Sequence, residues 1–143
     1  MGWYVHIHVC FACQHNEPVA DLARRHLPGV NGDGTQEAVW FLEDLAKRVG
    51  QNPGPKGGLS LWGMVGNYTN GDRFVECLRP FWGDLLRQEV GGICQHERVL
   101  VFVENEQSKA AQAFEIFLAE DDEARAAVEV KRHVDLPFSF RQM

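Results

Sequence analysis

Between Trp3 and Ala12 the side chains alternate in a way that fits an extended strand and little else. Successive strand residues point to opposite faces. Trp3, Val5, Ile7, Val9 and Phe11 then share one face, wholly apolar and β-prone, and that face needs a cover. Tyr4, His6, His8, Cys10 and Ala12 share the other, a row of potential ligands, bases and thiols.

The rest of the chain supplies the cover. Asn16 is a plausible N-cap for a helix over Pro18–Leu27, which Pro28-Gly29 stops. Gly29 to Thr35 is turn-rich and lacks the Gly and Glu of a calcium loop. Thr35 caps a second helix, Gln36 to Val49, closed by Gly50. Leu59 to Asn67 reads as a strand, where Gly63 and Gly66 mark a bulge or a close approach. Asn70-Gly71 allows a hairpin, but Phe74, Leu78, Phe81, Trp82 and Leu85 fit helical spacing better, at least from Arg79 onwards. Val99 to Val103 predicts a central strand. Ser108 to about Ala119 predicts a helix burying Ala113, Phe114, Phe117 and Leu118. Val128, Val130 and Val134 suit an edge strand.

The order β-α-α-β-α-β-α-β implies an α/β or α+β fold. We expect a single compact domain over residues 1–143, with helices covering a sheet of about four to five strands. The predicted core is Trp3, Val5, Ile7, Val9 and Phe11 of the first strand and Val99, Val101 and Val103 of the central one. Leu42, Leu45, Phe114 and Phe117 complete it from the helices.

Composition removes some function classes. No strand or helix pattern approaches the length of a membrane span, and the N-terminus lacks a basic region, so we expect neither membrane insertion nor a signal peptide. Four cysteines without secretory features point to a reducing, cytoplasmic setting. A net charge of −6 argues against a nucleic-acid binder.

The charge is also segregated. Eight acids and two bases lie between Glu104 and Glu129, an excess equal to that of the whole chain, so the remainder balances. Glu104, Glu106, Glu120, Asp121, Asp122 and Glu123 are therefore candidate contacts for a basic partner protein. Small acidic α/β proteins that inhibit a basic enzyme, as nuclease immunity proteins do, share this asymmetry of charge and size. A binding or regulatory protein of that kind is the leading expectation. The competing view is a solvated charged surface.

Two chemistries compete with it. His6 and His8 make half of a zinc site, because same-face strand neighbours lie about 7 Å apart. Cys10, Cys13 and His15 extend the ligand supply, and Cys13-Gln14-His15 recurs as Cys94-Gln95-His96. A zinc-dependent hydrolase would use His6 and His8 with His96 or His133, and Glu97 or Glu104 as base. The bland alternative is that these histidines are hydrogen-bonded side chains on a sheet face. Cys10-Phe11-Ala12-Cys13 also has the spacing of a thiol redox pair, though without the Trp-Cys-Gly-Pro-Cys core of thioredoxin-like proteins.

Overall fold

In the computed structural model, residues 4–13, 16–51, 58–67, 71–87, 98–105, 111–119 and 127–134 are described. They form β1 (Tyr4–Cys13), α1 (Asn16–Asp33), α2 (Gln36–Gln51), β2 (Gly58–Asn67), α3 (Gly71–Cys77) and α4 (Arg79–Arg87). Then come β3 (Arg98–Asn105), β4 (Ala111–Ala119) and β5 (Ala127–Val134). The five strands make one sheet in the order β2-β1-β3-β4-β5, every neighbouring pair antiparallel. The mixed α/β class expected from the sequence is the one observed, with β3 at the centre and β5 at an edge.

The helices cover a single face of the sheet. Val5, Ile7, Val9 and Phe11 are at most 2% exposed and share one apolar cluster with residues from all four helices. The register aligns Val9 with Val101 and Val101 with Phe114, which carries that face across three strands. α4 lies closest to the sheet. A Cβ added at Gly83 would stand 3.1 Å from a Val128 methyl, so this glycine lets helix and β5 touch. The Arg79 guanidinium donates to the Val128 carbonyl, and Arg132 pairs with Asp72 of α3. Trp82 is fully buried, packs against Phe41 and Phe81, and donates its indole N–H to the Val75 carbonyl.

Local signals set several boundaries. The Thr35 hydroxyl accepts the Ala38 N–H at 3.1 Å, so it caps α2 as expected. The ambiguous segment after residue 70 is helical. It breaks at Leu78, and Pro80 sits in the first turn of α4, where its missing N–H has no helical partner to lose. α1 departs from expectation, running through Pro28 and Gly29 to Asp33. Val30 is only 7% exposed within the core cluster, and that burial holds the chain helical where propensity would end it.

The second departure is larger. The segment expected as a helix over Ser108–Ala119 contains strand β4, Ala111–Ala119. Phe114, Phe117 and Leu118 fit a helical stripe, but Phe114, Ile116 and Leu118 fit strand alternation equally well. Pairing on both sides, with β3 and β5, decides between them. A helix would have turned Ile116 outward, whereas it is fully buried. One predicted core residue is displaced as a result. Phe117 lies on the other face of the sheet and is half-buried. Trp3 lies outside the described residues, and the remaining predicted core positions are buried.

Candidate functional site

The second face of the sheet carries the unusual chemistry. The register orders it in rows. His6 stands opposite Glu104, which stands opposite Ala111. His8, Phe102, Ala113 and His133 form the next row. Cys10, Leu100, Glu115 and Lys131 form the third, and Arg98, Phe117 and Glu129 the fourth.

An antiparallel sheet with helices on one side ordinarily turns polar residues to the other. Here Leu100, Phe102 and Phe117 stand half-buried on that side and take no part in the apolar cluster beneath the helices. Beside Phe102 on β3 is Glu104, only 3% exposed, whose Oε2 has no hydrogen-bond partner among the described residues. Buried carboxylates are ordinarily paired, because desolvating an unmatched charge is costly. The sequence singles out Glu104 as a candidate partner contact and a candidate base, not as a buried residue. Its burial follows from its place near the end of the central strand, which required the strand order to see.

His6, His8 and Cys10 are all half-buried on this face, as the alternation predicted. Gly63 of β2 is the partner of His8, and a Cβ there would stand 3.0 Å from His8 Nδ1, so the glycine makes room for the imidazole. Burial, reinforced by His6, holds His8 below its ordinary pKa of 6.5, against the opposing pull of Glu104. The unfolded chain therefore takes up a proton at His8 before the folded one does. That contribution to stability is complete above pH 6.5 and is lost as pH falls through the folded value. Between about pH 7 and pH 5 the melting temperature should fall less in His8→Gln than in the wild type. Equal pH slopes in thermal melts of the two proteins would contradict this.

The other ligand candidates do not assemble around this pair. Three strand steps, roughly 14 Å, separate His133 from His8, too far for one ion. His133 instead contacts Glu115 at 2.9 Å, and Arg98 donates to the other oxygen of the same carboxylate at 3.0 Å. Among the described residues, no three His, Cys, Asp or Glu side chains lie close enough to hold a metal ion. His15, Cys94, His96 and Glu97 lie outside the described residues.

Cys10 and Cys13 belong to the same extended strand. Their Cα atoms are about 10 Å apart at strand rise, beyond the reach of a disulfide. Burial also pushes the Cys10 thiol up from its usual pKa, which works against thiolate chemistry.

The acidic segment is rearranged by the same strand that displaced the helix. β4 separates the β3–β4 connection, where Glu106 lies, from the β4–β5 connection, where Glu120, Asp121, Asp122 and Glu123 lie. All five of these acids are outside the described residues. The nine residues of β4 span roughly 27 Å at strand rise, so the acids do not belong to one continuous helix face. A conflict between Glu120–Glu123 and a helix macrodipole does not arise, because no helix precedes them.

No protein family matches this chain, and no curated protein or solved structure does either. Among the described residues, no helix is long and apolar enough to cross a membrane.

Proposed function

We propose that this is a binding or regulatory protein that docks a basic partner protein on the sheet face opposite its helices. The observation that carries the reading is the company Glu104 keeps. A buried carboxylate with an unmatched oxygen stands beside Phe102 and Leu100, large apolar side chains that lie outside the core. Large apolar and aromatic side chains gathered outside the core are the pattern of an interface centre. The acid excess between Glu104 and Glu129 favours a partner of opposite sign and would speed its approach. An inhibitor of the immunity type is one protein that would work this way.

The test begins with affinity capture on the immobilised chain and continues with the captured protein in purified form. The proposal expects a basic protein whose association slows with added salt, and whose binding is lost with Phe102→Ser at unchanged fold. A purified partner that binds Phe102→Ser as tightly as wild type would overturn it.

A zinc-dependent reading has one observation in its favour, the placement of His6 and His8 on one face with Glu104 opposite His6. It needs a further ligand, for which His15, Cys94 and His96 are the candidates. Elemental analysis of untagged protein decides it. Stoichiometric zinc that disappears in the His6→Ala/His8→Ala double variant would establish the site, and zinc retained by that variant would exclude it.

A further inference from the structure

Apart from the docking face, we propose that the outer edge of β2 is where two copies of this chain pair, strand against strand, into one continuous antiparallel sheet. β2 is terminal in the sheet, and among the described residues no strand lies beyond it. All ten of its residues are in register with β1 on the inner side. Alternate residues of an antiparallel strand direct their N–H and C=O groups to opposite edges. The outer edge of β2 therefore carries a regular row of donors and acceptors with no described strand to meet them. Gly63, in the middle of the strand, is exposed, and what a glycine exposes is main chain.

The two edges of the sheet differ in how they are protected. Charge, proline or a short length ordinarily keeps an edge strand from pairing with another chain. β5 has the charge, since Glu129, Lys131 and Arg132 are all exposed along it. β2 is longer and contains no charged residue and no proline. Such a strand meets a copy of itself without like-charge repulsion. The acid excess favours the same edge, because it lies between Glu104 and Glu129, on β3 to β5 and their connections. In a dimer joined at β2, β4 of one copy stands seven strand steps from β4 of the other. That is roughly 34 Å, several screening lengths of about 8 Å at physiological salt. Joined at β5, the same two strands would be three steps apart, roughly 14 Å. A second copy also supplies the geometry. A twofold axis perpendicular to the sheet reverses strand direction and keeps each face on its own side. Both helical layers then lie on one side of a ten-stranded sheet, five strands from each copy, and both faces that carry His6 and Phe102 lie on the other.

The experiment uses the full, untagged chain, followed by sedimentation equilibrium and by amide hydrogen exchange at low and high concentration. The expected result is a mass that doubles as the chain is raised to about 0.5 mM. Every second amide of β2, those not directed at β1, should gain protection over the same range. Leu61→Lys/Val65→Lys sets like charges opposite or diagonal across the twofold, whether the pairing is centred on Trp62 or on Gly63. It should weaken association at least about tenfold. A mass that stays monomeric over that range, a dimer whose outward β2 amides exchange freely, or undiminished association of the double variant would overturn the proposal. Protection of those amides in the monomer would overturn it too, since a segment of the same chain would then cover the edge. The exchange pattern of the wild type reads the interface directly, so the test stands even where the double variant folds poorly.

Discussion

Trp82→Ala should cost about 3–5 kcal/mol of folding stability, a large share of the about 5–15 kcal/mol that holds an ordinary domain folded. Trp82 is fully buried at the point where α4 meets the rest of the helical layer. Its ring centroid lies 5.7 Å from that of Phe41 and 5.4 Å from that of Phe81. Its indole N–H donates to the Val75 carbonyl at 3.0 Å, tying α4 back to α3 across the break at Leu78. Alanine removes the packing, leaves a cavity and strands the carbonyl of Val75. Trp82→Phe separates these effects, since it keeps most of the volume and loses only the donor. Its cost should be about 1–2 kcal/mol by chemical denaturation. A Trp82→Ala protein within about 1 kcal/mol of wild type would mean that the helical layer is not held together at this residue.

Glu104→Met should move stability in the opposite direction, raising it by about 1–3 kcal/mol. Most substitutions at a position 3% exposed are destabilising, so the sign is the informative part. Glu104 Oε2 is desolvated and has no hydrogen-bond partner among the described residues. A methionine of similar length keeps the packing and removes the unmatched charge. A protein that keeps a destabilising carboxylate has sacrificed stability for something else, which on this account is a partner's cation. A fall in melting temperature for Glu104→Met would show that the carboxylate is already matched within the fold.

The sequence made most of the sheet legible and the site only partly so. The alternation from Val5 to Phe11 identifies both faces of β1 without any tertiary information, because a period of two has a single structural meaning over that length. The Val99–Val103 run likewise announces a strand, and β3 is observed at the centre of the sheet. Local chemistry also reports the Thr35 cap reliably.

Segment 111–119 was not legible. Its apolar residues satisfy two periods at once, and only the demand of β3 for a second neighbour resolves them. The error propagated to function. As a helix, the segment would have ended in four carboxylates set against its macrodipole. As a strand, it divides the acids between two connections and places Phe117 on the face opposite the helices. The arrangement of Glu104 among His6, Phe102 and Ala111 was invisible for the same reason, because cross-strand neighbours depend on strand order and register. Gly63 in a strand implies a bulge or a close approach, and the structure shows the second, with the His8 imidazole as the approaching group.

The central claim is that the face carrying Leu100 and Phe102 serves a partner and not the core. It is tested most directly by one pair of measurements on Leu100→Thr/Phe102→Thr. Threonine is β-prone, so it preserves the strand while removing the apolar surface. The account predicts that folding stability by denaturant titration falls by less than about 2 kcal/mol in total, while affinity for the purified basic partner drops at least tenfold, to ~10% of wild type or below. A loss of about 3–5 kcal/mol, the cost of a single fully buried phenylalanine, with affinity for the partner unchanged, would place these residues in the core and contradict the account.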